Sequence, residues 1–178
     1  ELESDTPVAI QAQFECWRTA TRQLQDGKVH RTSCFSMVGY PGKVITYPDT
    51  VAFEGGGVLW YHRNNNDDLV FDKDVHEQGL DSIKDRLWNP LKDLTFGGLM
   101  TGKQMVPAGT SNGRCVDTNF TAWKLRSSRP AKKHELKLFL HTAQTPSLDE
   151  WKNDLNQLAA ADSPSSVRAF KKNLSWWQ

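Results

Sequence analysis

The sequence predicts an α+β domain: antiparallel strands forming a barrel or sandwich, capped by a C-terminal helix, with a helical insertion in the middle. Three observations carry this expectation. Up to about residue 71, apolar and polar residues alternate in short runs punctuated by Gly, Pro and Asp, the period-2 pattern of half-buried strands. From about residue 72 the spacing becomes helical, with Leu80, Ile83, Leu87, Leu91 and Leu94 on one face. Near the C-terminus Leu136, Leu138 and Leu140 alternate with Lys137, Phe139 and His141, and the period switches again at Ser147.

In chain order, residues 1–7 are acidic and expected to be loose. Val8, Ile10, Ala12, Phe14 and Cys16 alternate as a strand, although Thr6-Pro7 followed by Ile10, Phe14, Trp17 and Leu24 also fits a capped helix. Asp26-Gly27 decides for the strand, because an Asp-Gly pair between alternating segments marks a hairpin whose turn residues reach positive φ. Val29, Arg31, Ser33, Phe35 and Met37 then share one face, Tyr40-Pro-Gly42 turns, and Val44 to Tyr47 forms the next strand. Pro48-Asp49 turns again, and Gly55 to Gly57 bends into a strand over Val58 to His62. Asn64 to Asp68 is a polar loop and Leu69 to Phe71 a short strand. Asp74-Val-His-Glu77 is a capping box for the middle helix, which Pro90 must kink or end. Phe96 to Gly113 reads as a loop carrying apolar anchors, and strand signal returns from Cys115 to Leu125. Ser147-Leu-Asp-Glu150 caps a helix whose single stripe is Leu148, Trp151, Leu155 and Leu158. After a break at residues 159–166, Val167, Phe170, Leu174 and Trp177 sit at helical spacing in a final helix.

The chain has 178 residues, enough for one domain with its own core, and residues 1–178 are expected to form a single domain. Net charge is +1, with 38 % apolar and 24 % charged residues, so bulk charge selects neither nucleic acid nor membrane. No run approaches the roughly 18 apolar residues of a membrane span. Glu-Leu-Glu-Ser-Asp is no signal peptide, a start that a processed chain would share. Cys16, Cys34 and Cys115 are too few and scattered for a disulfide framework or a zinc site, which points to buried thiols in the cytoplasm. The sequons at Asn119 and Asn173 matter only on export.

Catalytic patterns are lacking. The five histidines, His30, His62, His76, His134 and His141, include no pair at metal-ligand spacing. Gly55-Gly-Gly57 follows an acidic turn and leads into a strand, so it does not cradle phosphate at a helix start. Cys34 lies in a strand pattern and reads as core, and Asp49 with Glu54, or Asp67 with Asp68, reads as turn chemistry. No enzyme, cofactor or metal is expected, and no RNP-like or OB-like pattern points to nucleic acid. Trp17, Trp60, Trp88 and Trp123 read as structural, and Trp151 as the anchor of the late helix. Of Trp176-Trp177 only one can face the body of a helix, so the other marks contact with a partner.

Two segments resemble the pleckstrin-homology (PH) family. Lys28-Val-His-Arg31-Thr-Ser-Cys-Phe35-Ser-Met37-Val-Gly39 followed by Val44-Ile-Thr-Tyr47-Pro-Asp49 is similar to its second and third strands. Leu138-Phe-Leu-His-Thr-Ala-Gln-Thr and Ser147-Leu-Asp-Glu-Trp151 look like its last strand and closing helix, with Trp151 in the place of the characteristic tryptophan. Residues 72–114 would be a helical insertion, and the helix from about residue 163 to 178 lies beyond the family's usual end.

The resemblance implies a non-catalytic binding or adaptor domain at a membrane or on a scaffold. Arg18, Arg22, Lys28, Arg31 and Lys43, with Tyr47, would share one rim with Arg129, Lys132 and Lys133. Guanidinium and ammonium groups there hold phosphate oxygens by charge-assisted hydrogen bonds and are drawn to an anionic leaflet. Arg31 fits one of two basic positions that family members use for phosphoinositide headgroups, but Val29 occupies the other. The expected partners are anionic phospholipid headgroups or a protein. The alternative is a secreted lipocalin-like barrel with a ligand inside.

Overall fold

The computed structural model describes residues 1–24, 42–116, 118–161 and 166–177. Its centre is strand β6, Gly57–Arg63, whose first residues are buried on both faces. Val58 points into one core and its neighbour Leu59 into another, as the two-residue period of a strand requires.

Two antiparallel sheets and one helix account for these cores. β6 lies between β5, Thr50–Glu54, and β7, Leu94–Gly102, and β7 pairs in turn with β11, Leu136–Gln144. The facing sheet sets β9, Thr118–Ser127, between β2, Gln11–Cys16, and β8, Met105–Cys115. Val58, Met100, Met105 and Leu125 fill the space between the sheets, with Phe14 stacked on Trp60 at a centroid distance of 4.4 Å. On the outer face of the β6 sheet lies helix α2, Leu148–Ala160, through Trp151 and Leu155 against Leu59, Leu99 and Phe139. Ser147 caps this helix by accepting from the Glu150 amide at 3.2 Å, as the capping box requires.

Antiparallel strands and α+β content agree with the sequence reading, but the described strands form open sheets and no closed barrel. Ring and aliphatic side chains occupy the space between the described sheets. Several local expectations change. Residues 1–7 are not loose: β1, Leu2–Val8, pairs with β10, Ala131–His134. Leu69 to Phe71 is not a strand but opens α1, Val70–Glu77, so Asp74 to Glu77 lies inside that helix rather than at a cap. The helix expected through Leu94 is only a short 3-10 turn, Asp81–Arg86, with Ile83 and Leu87 partly in water.

The segment from Phe96 to Gly113 is the largest change. It forms β7 and β8, one strand in each main sheet, so the region 72–114 is helical only as far as Arg86. Its glycines are packing residues. A Cβ on Gly97 would collide with the Trp60 carbonyl oxygen, and one on Gly98 with that of Phe139, so close approach of neighbouring strands selects glycine there. Gly55 and Gly56, at φ 59° and 80°, do make the expected turn, between β5 and β6.

On β11 the expected face is covered only at Leu136, which packs against the core between the sheets. Phe139, with Ala143, packs under α2, whereas Leu138 and Leu140 are 60 % and 67 % exposed on this edge strand. β3, Arg22–Leu24, pairs with β4, Val44–Thr46. The hairpin at Asp26-Gly27, the strand from Val29 to Met37 and Cys34 lie outside the described residues. The final helix α3 spans Ser166–Trp177, with Phe170, Leu174, Trp176 and Trp177 exposed. Among the described residues no helix is long and apolar enough to cross a membrane.

Candidate functional site

β6 ends in His62 and Arg63, which face opposite sides of the sheet, and each organises a polar cluster at this end of the sandwich. On the inner side, Asp49 Oδ1 stands 2.7 Å from an Arg18 guanidinium nitrogen and 3.0 Å from His62 Nδ1. The Asp49 amide also donates to the Arg18 carbonyl at 2.9 Å. Arg18 lies 5.5 Å over the Phe96 ring, and the buried Cys16 thiol is 3.9 Å from Asp49 Oδ2.

A histidine backed by a carboxylate has the make-up of a general base, but here the carboxylate is shared with the Arg18 guanidinium. Burial, reinforced by the Arg18 charge, pushes His62 below its usual pKa despite Asp49. Burial also raises the Cys16 thiol, which keeps it protonated. The carboxylate is already spent on a guanidinium, so the cluster ties β2, the β4–β5 connection, β6 and β7 together. Asp49 is therefore more than the turn residue its sequence context implies.

On the outer side Arg63 gathers the loops. Its guanidinium donates to Thr95 Oγ1 at 2.8 Å and to the Thr145 carbonyl at 2.9 Å, and reaches Asp93 Oδ1 at 3.4 Å. The irregular segment before β7 is pinned in several further ways. Asn89 Oδ1 accepts from the Leu91 and Lys92 amides at 3.0 and 3.2 Å. Gln144 Nε2 donates to the Asn89 and Lys92 carbonyls at 2.9 and 2.7 Å. Asn64 donates to the Leu91 carbonyl at 2.8 Å, and Asn66 Oδ1 accepts from the Asp93 amide at 2.9 Å. Against this rigid backbone Trp88 is 76 % exposed. It borders an open cleft of about 470 Å³, shared with Asn89, Lys92, Asp93, Gln144 and Pro146. Trp88 is not one of the structural tryptophans that its sequence suggests; its place in a loop between Leu87 and Asn89-Pro90 is the signal that sets it apart from the strand tryptophans Trp60 and Trp123.

Among the described residues, the members of the predicted basic rim are not brought together on one surface. Cys16 pairs with Thr121 and Gln11 with Arg126, so β9 between them spans about 17 Å at roughly 3.4 Å per residue. Arg18 continues from the first end, beside His62. Arg129 lies beyond the other, donating to Gln104 at 3.4 Å next to the β7–β8 turn. Arg18 is neutralised by Asp49, and Lys133 on β10 pairs with Glu3 at 2.8 Å and Glu1 at 3.6 Å. Glu3 keeps the Lys133 ammonium above its usual pKa, and Lys133 holds the Glu3 carboxyl below its own. Tyr47 donates to Asp68 Oδ2 at 2.9 Å. Arg22, Lys43 and Lys132 are exposed; Lys28 and Arg31 lie outside the described residues. Trp151 is fully buried beneath α2, as expected. Among the described residues no three His, Cys, Asp or Glu side chains are placed to hold a metal ion.

The family described as a domain of unknown function, DUF5703, matches residues 1–178, the full length of the chain. The chain belongs to that family. No curated protein and no solved structure matches it.

Proposed function

We propose that this DUF5703 domain is a non-catalytic binding module whose ligand seats at the loop end of the sandwich. The observation that carries this reading is Trp88, held in water beside a cleft and next to a segment, residues 89–94, whose backbone makes several hydrogen bonds. A large aromatic exposed on a rigid support loses little conformational freedom on binding, so it favours recognition. The two titratable clusters nearby are consumed in holding loops together. The test is a titration of the ¹⁵N-labelled protein with a chemically diverse panel of small molecules, following its seven indole N–H resonances, with Trp88 assigned through Trp88→Phe. The Trp88 signal is expected to move alone with at least one probe. If no probe of any class moves it, the reading is wrong.

A second reading keeps the pleckstrin-homology resemblance and an anionic lipid partner, at the cytoplasmic face of a membrane. Two observations favour it: the capped helix with buried Trp151 follows the last strand, and Arg22 and Lys43 project at the β3–β4 ladder. The position of α2 on the outer sheet face, rather than across a barrel mouth, weighs against it. Exposed Phe170, Trp176 and Trp177 on α3 support the protein-partner form of the adaptor role. Co-sedimentation with phosphatidylserine vesicles separates the lipid form: it requires binding that Arg22→Ala/Lys43→Ala weakens and that phosphatidylcholine vesicles do not reproduce.

A further inference from the structure

We infer that the cleft beside Trp88 is a saccharide subsite that takes one or two pyranose rings of an uncharged oligosaccharide. This rests on the binding-module reading and adds the ligand's chemistry.

The first argument is the indole itself. Trp60 stacks on Phe14, Trp151 meets Tyr61 and Trp17 meets Phe120, whereas Trp88 has no ring partner among the described residues. Its π face carries negative quadrupole density and attracts positively polarised edges. The axial C–H groups on one face of a pyranose supply such an edge over a flat, apolar area of matching size.

The second argument is the polar wall. Gln144 spends its N–H groups on the Asn89 and Lys92 carbonyls, which leaves its side-chain oxygen to accept. Asp93 uses Oδ1 for Asn66 and Arg63 and keeps Oδ2. Lys92 lines the same cleft and supplies donors. The cleft therefore offers both acceptors and a donor, which suits hydroxyl groups because each both donates and accepts. A phosphate or nucleotide is poorly matched, since among the described residues Lys92 is the one cationic side chain lining the cleft and Asp93 lines it too.

The third argument is size and rigidity. A cleft of about 470 Å³ falls in the range of roughly 300–1,000 Å³ that holds small ligands. The hydrogen bonds through Asn89, Asn64, Asn66 and Gln144 fix the loop before any ligand arrives, so binding orders little further chain.

The experiment uses the full 178-residue chain and hexasaccharides of gluco, manno, galacto and xylo configuration, added to the indole titration described above and repeated by calorimetry. At least one hexasaccharide is expected to bind and to shift the Trp88 indole. Trp88→Ala should weaken that binding by about 10-fold or more, Trp88→Tyr by no more than about 3-fold because a ring is kept, and Lys92→Ala by an intermediate factor. Trp88 and Lys92 are exposed, so the variants should keep the parent's circular dichroism. A non-saccharide probe that moves Trp88 while every hexasaccharide fails overturns the saccharide assignment and leaves the binding module standing. Silence from all probes overturns both. Saccharide binding that Trp88→Ala leaves intact places the site elsewhere. Concentration-dependent self-association abolished by Trp88→Ala would make this face a contact between copies instead.

Discussion

His62 and Cys16 each lie against Asp49, and burial disfavours the charged form of both. Burial and the Arg18 charge favour neutral His62, so its folded pKa lies below the ordinary 6.5. The unfolded chain therefore binds a proton more readily, and stability from this group is fully present above about pH 6.5 and lost as pH falls through the lower folded value. Urea unfolding at pH 7.5 and pH 5 should show a decline that is shallower in His62→Gln, which keeps a donor for Asp49 but does not titrate. Equal declines would mean that His62 is not the responsible group. Thiol chemistry offers a companion check. Cys16 is buried and Cys115 exposed, so iodoacetamide on the native protein should label Cys115 quickly and Cys16 only after unfolding. Rapid native labelling of Cys16 would contradict its burial.

Among the elements, α2 was the most legible because its signals are local. Ser147 and Glu150 sit three residues apart and satisfy the helix start wherever the helix packs. Trp151 fills the space beneath it, and its indole nitrogen is buried without a hydrogen-bond partner. Trp151→Ala should therefore lower stability by about 3–5 kcal/mol, while Trp151→Phe should cost clearly less, since it keeps most of the volume and removes an unpaired N–H. Equal losses in urea denaturation would show that the indole nitrogen has a partner after all. β7 was illegible for the opposite reason. Gly97, Gly98 and Gly102 suggest a loop until the neighbouring strands are present, when lack of a side chain becomes the requirement for close approach. Gly98→Ala should cost on the order of 1–3 kcal/mol or more, whereas alanine at an unconstrained loop glycine would be nearly neutral.

At the scale of the whole molecule, which face of a strand is covered depends on the reach of the opposite layer. Alternation alone marks two faces of β11 and does not say which is inside. The core between the sheets reaches β11 only at Leu136, so Leu138 and Leu140 remain in water on an edge strand. Such an edge invites pairing with another chain. Leu138→Lys/Leu140→Lys should leave the unfolding midpoint nearly unchanged, within about 0.5 kcal/mol per site, and should reduce light scattering on concentration. A large loss of stability would mean that these side chains are covered in solution. The same argument explains the charges. Arg18 and Arg129 are both basic loop residues in sequence, and the register of β2 on β9 sends them to opposite ends of the sandwich.

The start of α2, the Gly55-Gly56 turn and the two-residue rhythm of strands such as β2 and β6 were determined by the sequence itself, because each is decided by residues within a few positions of one another. Only the tertiary structure decided that residues 2–8 form a strand, that the glycines of β7 sit inside a sheet, and that Trp88 stands exposed over a polar cleft. Those outcomes depend on which distant segments come into contact, and the energies that choose among such contacts lie between residues far apart in the chain.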